Sequence, residues 1–204
     1  MKKMITLLLI AGMAATAFKP AAEGYKVGDT ATDFKLKNVD GKTVSLASYT
    51  AAKGYIVVFT CNHCPYAQAY EKRIMELDKM YASKGYPVVA ISPNDPVALP
   101  EDSYVNMQKR AAERKYTFPY LLDETQDVSH AYGVKATPHV FVLQKTTSGN
   151  VVQYIGAIDD DTENANPKHT NYVQNAVNAL LAGNKPTVTS TKAIGCSIKW
   201  KKGA

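Results

Sequence analysis

The run Tyr55-Ile56-Val57-Val58-Phe59-Thr60 is apolar up to its last residue and stops abruptly at Cys61-Asn62-His63-Cys64-Pro65. A short continuous apolar run has no polar face to give to water, so it predicts a strand buried on both sides. Such a strand needs a layer of structure above and below it, which excludes most small one-sided folds. A helix is predicted to begin at once. Pro65 suits a first helical turn, Tyr66, Tyr70, Ile74, Leu77 and Tyr81 recur at spacings of three and four, and Gly85 suits the stop. Two thiols therefore sit where a buried strand hands over to a helix N-terminus. Unpaired N–H groups and the positive end of the helix dipole favour thiolate there, and thiolate is the reactive form. Three-residue spacing on a helical turn lets the sulfurs meet without backbone movement. The motif predicts a reversible Cys61–Cys64 dithiol/disulfide centre.

The rest of the chain supplies the layers. Phe34, Leu36, Val44 and Leu46 alternate with polar residues around Asp40-Gly41, a hairpin pattern. Residues 87–91 form the next buried strand, and residues 92–96 a loop at its end. Residues 103–115 read as a helix with Tyr104, Met107 and Ala111 inward. A short strand at 118–122 and a short helix at 125–132 follow. Val140–Leu143 and Val151–Ile155 flank the turn residues Ser148-Gly149-Asn150 as a second hairpin, and a last helix starts at Asn166-Pro167 and ends at Gly183. This order predicts an α/β fold: a mixed central sheet with helices on both faces and an N-terminal β-hairpin. Reactive sites in such sheets lie at the carboxyl ends of the strands, which is where Cys61 falls.

Length and charge bound the rest. A chain of 204 residues with 46% hydrophobic and 21% charged residues suits one soluble domain with a full core. Lys2 and Lys3 precede the short apolar run from Ile5 to Met13, and Ala15-Thr16-Ala17 offers a small-residue cleavage site. Residues 1–17 thus read as a secretory signal peptide, too short to span a membrane. Its removal leaves 22 basic against 18 acidic residues, or +4 in place of +6. No basic block is dense enough for a nucleic-acid partner. The expected organisation is a leader at 1–17, a flexible mature N-terminus at 18–26, one domain at 27–183, and a C-terminal extension at 184–204 carrying Cys196. Three cysteines outside the cytosol leave Cys196 unassigned: a second resolving thiol, a mixed-disulfide site or a buried small residue.

Together these segments resemble the thioredoxin fold and, within it, the redoxin group of peroxiredoxin-like proteins and exported thiol-disulfide oxidoreductases. The matching residues are Gly28-Asp29-Thr30-Ala31-Thr32-Asp33-Phe34 with Asp40-Gly41-Lys42, then Phe59-Thr60-Cys61-Asn62-His63-Cys64-Pro65, then Tyr132-Gly133-Val134 and Ala136-Thr137-Pro138 before Phe141. The tail Gly195-Cys196-Ser197-Ile198-Lys199-Trp200 resembles that of a peroxiredoxin-like subgroup carrying a Cys-x-x-Cys. The resemblance implies a three-layer α/β/α domain over roughly residues 27–183. It also implies a cis Thr137–Pro138 bond facing the dithiol, with the Thr137 backbone free to pair with substrate. Cys61 becomes the nucleophile, more exposed than Cys64, and Cys64 the resolving thiol. Thr60, Asn62, His63, Pro65, Thr137 and Pro138 shape the site. Three positions depart from the pattern: Thr60 replaces a Trp, Tyr55 stands where thioredoxins bury an Asp, and Val58 stands where peroxiredoxins carry a hydroxyl.

The implied activity is exchange of disulfides with a protein or small-molecule thiol, in the periplasm, with no cofactor beyond the Cys61–Cys64 couple, no bound metal and a membrane electron donor. The sequence leaves the oligomeric state open. Two alternatives stand beside this reading. One is a thiol peroxidase with Cys61 peroxidatic. The other is a Cu(I)-handling protein using both thiolates with His63 or His139. His130 and His169 read as structural or surface residues, and Trp200 as a packing anchor for the tail.

Overall fold

The computed structural model describes residues 24–163 and 165–202; the proposed leader at 1–17 lies outside them. In chain order the elements are β1 (Thr30–Ala31), β2 (Leu36–Asn38), β3 (Thr43–Val44), β4 (Gly54–Phe59), α1 (Pro65–Tyr81), β5 (Val88–Ser92), α2 (Tyr104–Arg114), β6 (Tyr120–Leu122), α3 (Asp127–Tyr132), β7 (His139–Thr146), β8 (Gly149–Gly156) and α4 (Tyr172–Leu181). The strands form one mixed sheet in the order β1-β8-β7-β4-β5-β6-β2-β3. β4, β5 and β6 run parallel, and β7 is antiparallel to β4, pairing Phe59 with His139. The expected hairpins are β2–β3, with Leu36 opposite Val44, and β7–β8.

Alternate residues of the buried strands feed two separate cores. Ile56, Val58, Val88 and Ala90 face α1, α2 and α4, meeting Tyr70, Ile74, Leu77, Met107, Val173 and Val177. Tyr55, Val57, Phe59, Val89 and Ile91 face the other way, onto Leu46, Tyr132 of α3, and Ile198 of the C-terminal tail. Each large aliphatic side chain taken from water here contributes about 2 kcal/mol. The second layer is therefore thin in helix: α3 is completed by coil from both ends of the chain. Tyr25, expected in a loose N-terminus, packs edge-on against Tyr132 with ring centroids 5.0 Å apart. Tyr55 OH donates to Leu46 O at 2.7 Å, so the strand position that holds an acid in thioredoxins anchors a loop here.

Two expectations need correction. The last helix starts at Tyr172, not Asn166. Asp161 Oδ2 accepts from Asn166 N and Asp160 Oδ1 from Thr170 N, each at 2.6 Å, while Arg73 bonds Asp159 and the carbonyls of Asp161 and Thr162. These side chains compete with helical bonding and hold residues 159–163 and 165–170 outside the helix. The segment 184–202 is extended as expected, yet it is part of the domain. It returns over β8, with Ile155 N donating to Thr189 O and Thr191 N to Ile155 O, and it buries Ile198 in the second core.

Candidate active site

Thr60 extends the parallel register beyond β4, its N–H donating to Ile91 O at 2.9 Å. The chain then turns through Cys61-Asn62-His63 into α1, where Cys64 is the N-cap and Pro65 takes the first helical position. Cys64 O accepts from Gln68 N at 2.9 Å, and Gln68 Nε2 donates to Asn62 O at 2.7 Å, which ties the turn to the helix. Facing it, the Thr137–Pro138 peptide is cis, as expected. Thr137 Oγ1 lies 3.2 Å from Cys61 Sγ, and Thr137 O lies 3.2 Å from Cys64 Sγ. The fold thus sets Cys61 and Cys64 against Thr137, from two distant parts of the sequence.

The sulfur pairing differs from the expected one. Cys64 is bonded to Cys196, and Cys61 is a free thiol. The cause lies in the tail. Cys196 lies beside Thr137 in an antiparallel bridge, Thr137 N donating to Cys196 O at 2.9 Å and Cys196 N to Thr137 O at 3.2 Å. That places its Cα 6.0 Å from that of Cys64, within ordinary bridging distance. The Thr137 backbone, expected to be free for substrate, is occupied by the protein's own chain.

Asp102 is a site residue that sequence reasoning missed. It is fully buried at the end of the 3-10 turn Pro100–Asp102. Its Oδ1 accepts from the N–H groups of Asn62 at 2.7 Å and His63 at 3.1 Å, and its Oδ2 from His63 Nδ1 at 2.8 Å and Asn94 Nδ2 at 2.7 Å. Asn62 is fixed further by Tyr120 OH and Glu101 O. The motif residues Pro100-Glu101-Asp102-Ser103 look like a run-up to a helix, and nothing local marks the carboxylate for burial. The one nearby signal was the Asn-Asp loop at the end of β5, which supplies Asn94.

The same nitrogen of His63, Nδ1, faces Asp102 and also stands 3.6 Å from Cys61 Sγ. A carboxylate only accepts, so Nδ1 carries the proton and cannot be the base that takes one from Cys61. When protonated, His63 places positive charge beside the thiol, with Asp102 holding the ring in position. Ionisation of Cys61 is harder than the sequence implied. Burial, then the Asp102 carboxylate, push the thiol up to about 11, against the Thr137 hydroxyl and the N–H groups of Cys64 and His63. At 4% exposure, desolvation outweighs the helix N-terminus. Cys61 is nevertheless the more exposed of the motif's two cysteines, since Cys64 is at 0%.

His139 does not join this group. It is buried beside Phe141, its Nδ1 accepts from Lys135 N at 3.3 Å, and burial, with Lys135 nearby, lowers it to about 4. Trp200 anchors the tail as expected, stacking on His130 with centroids 4.1 Å apart. For a metal, Cys61, His63 and Asp102 offer one ligand atom each within 4.8 Å of one another. With Cys64 bonded to Cys196, this set has one thiolate, and it is harder than the two-thiolate set that Cu(I) favours.

Residues 27–154 match the AhpC/TSA family model. The chain belongs to the AhpC/TSA family. It is an oxidoreductase of the thioredoxin fold. The matched region ends within β8, so the tail and Cys196 lie beyond it. Among curated proteins, this AhpC/TSA member is 29% identical over 148 residues to the thiol-disulfide oxidoreductase ResA of Geobacillus thermodenitrificans, covering 71% of this chain and 80% of that one. Among solved structures, an uncharacterized conserved protein from Geobacillus kaustophilus is 38% identical, with a TM-score of 0.80 over 88% of this chain and 94% of that one. A thiol:disulfide interchange protein of the thioredoxin family from Chlorobium tepidum is 25% identical, with a TM-score of 0.50 over 63% of this chain and 85% of its own.

Proposed function

We propose that the protein is an exported thiol-disulfide oxidoreductase that exchanges disulfides with protein or small-molecule thiols through Cys61 and Cys64. One observation carries the reading: a free Cys61 thiol sits 3.2 Å from the Thr137 hydroxyl, one helical turn from a Cys64 already engaged in a disulfide. The name of the Geobacillus relative supports the same chemistry. The Cys61 thiolate attacks a substrate disulfide, forms a mixed disulfide and releases the first substrate thiol. Reduced Cys64 then attacks Cys61 Sγ and releases the second. An external dithiol, with a membrane protein as its proposed source, returns the two electrons. The chemistry needs sulfur alone. Export rests on the basic and apolar pattern of residues 1–17.

The test is to trap the mixed disulfide. Cys64→Ser incubated with a protein disulfide accumulates a covalent adduct that mass spectrometry maps to Cys61; a chain that forms no adduct there ends the proposal. The elevated Cys61 value has a kinetic signature. Because the thiol form persists to higher pH, alkylation of Cys61 rises about tenfold per pH unit from pH 7 to 10, without levelling at the ordinary cysteine value near 9.

A thiol peroxidase is the second reading, and one observation favours it. The Thr137 hydroxyl beside Cys61 supplies, from the cis-proline segment, a group that Val58 lacks. Consumption of hydrogen peroxide that vanishes in Cys61→Ser would support it.

A further inference from the structure

We propose that residues 195–198 are a built-in peptide ligand for the enzyme's own substrate edge, and that Cys196 is a third redox thiol which takes Cys64 over from Cys61. This proposal rests on the exchange reading above and extends it.

The Thr137 hydroxyl stands beside Cys61 Sγ and its C=O beside Cys64 Sγ, and an extended chain that pairs with the Thr137 N–H and C=O brings its own side chain onto the dithiol. An unpaired backbone edge beside a reactive sulfur is where a polypeptide substrate docks by strand addition. Here the tail docks there, and the side chain it delivers is Cys196. The seat is built for it. A side chain at Gly195 would collide with the Thr137 carbonyl, and one at Gly156 would collide with Thr191 where the tail crosses β8. Beyond the bridge, Lys199 N donates to Asn94 Oδ1 and Asp95 N to Lys199 O, each at 2.8 Å, while Gln126 bonds both Lys199 O and Lys201 N. Ile198 is buried, and Cys196 packs on the cluster of Cys61, Cys64 and Ala67.

The electron balance follows from these contacts. Substrate exchange leaves a Cys61–Cys64 disulfide and two substrate thiols. The Cys196 thiolate attacks Cys64 Sγ, the Cys61–Cys64 bond breaks, the Cys64–Cys196 bond forms, and Cys61 leaves as a thiolate that takes a proton from water. No further oxidant enters. The same two oxidising equivalents move from the Cys61–Cys64 bond to the Cys64–Cys196 bond. The product is the state described here: an oxidised enzyme with Cys61 free and its substrate edge capped. An external dithiol that attacks the Cys64–Cys196 bond uncaps it. Substrate and tail compete for one edge, so a polypeptide disulfide gains access only to the reduced form.

The test oxidises the reduced full chain with one equivalent of oxidised glutathione, quenches with acid, alkylates free thiols and maps the bonds by mass spectrometry. The expected end state is Cys61 alkylated with Cys64 joined to Cys196. Gly195→Val keeps every sulfur and unseats the tail. It is expected to end as Cys61–Cys64 with Cys196 alkylated, the Cys64–Cys196 product falling about tenfold or more. Trp200, the only tryptophan, reports seating through its fluorescence on His130, so tail displacement is read apart from global folding. Two results overturn the relay. One is a wild-type end state of Cys61–Cys64 with free Cys196, and the other is unchanged Cys64–Cys196 yield in a Gly195→Val protein whose Trp200 signal has shifted. The mixed-disulfide trap in Cys64→Ser separates the causes. An adduct on Cys61 together with either result removes the relay alone, and no adduct removes the exchange reading along with it.

Discussion

Two segments close on Cys61, the Pro100–Asp102 turn and the tail around Cys196, and different physics holds each. The turn delivers a fully buried carboxylate whose oxygens receive four donors, and no covalent bond is involved. The tail arrives as a strand, with two backbone bonds to Thr137 and a sulfur bridge to Cys64. Asp102 therefore sets the shape and charge of the Asn62-His63 turn through hydrogen bonds, none of which is itself made or broken by electrons. The tail's hold is conditional on them. A buried polar network is all-or-none, since removing one partner strands the others, whereas a disulfide can be opened and closed by a thiol.

That contrast can be broken from the tail side first. Reducing the Cys64–Cys196 bridge, which joins residues 132 apart in sequence, frees the unfolded chain and lowers stability by about 4 kcal/mol, read as a fall in the urea midpoint between oxidised and reduced wild type. Equal midpoints would mean that the bridge is a bystander. From the turn side, Asp102→Ala leaves the Asn62 and His63 N–H groups and the Asn94 amide without their acceptor in a buried site. The expected loss is about 3 kcal/mol, present in both redox states. A redox-dependent loss would merge the two segments into one mechanism.

His139 sharpens the comparison through pH. Its folded value, about 4, lies below the ordinary 6.5, so the unfolded chain binds the proton first. Stability is then complete above about pH 6.5 and declines as pH falls toward 4, by up to roughly 3 kcal/mol. The decline should vanish in His139→Gln, measured as the pH dependence of the urea midpoint. The smallest effect is at the Thr137 hydroxyl beside Cys61. Thr137→Val removes one hydrogen bond to Cys61, worth about 1 kcal/mol, and slows its alkylation several-fold with stability little changed.

Much of this site was legible in the chain because local patterns carry it. The apolar run into Cys61, the Pro65 helix start and the periodicity through Tyr81 each depend on neighbours within a few residues, and β4 and α1 follow them closely. The cis Thr137–Pro138 bond was expected from the resemblance, since the residues themselves allow a trans turn as well. The start of the last helix was misplaced because Asp159, Asp160 and Asp161 act across the loop and through Arg73, contacts that no local window contains.

The sequence by itself determined the strand-to-helix seam, the thiol pair on it and the layered sheet, since hydrophobic period and turn chemistry are short-range properties. Only the tertiary structure decided that Cys64 joins Cys196, that Asp102 comes to rest under His63, and that Cys61 is buried enough to hold its proton. Those outcomes depend on which distant segments share a cavity, and burial and sulfur pairing are set by that proximity rather than by any residue's own preference.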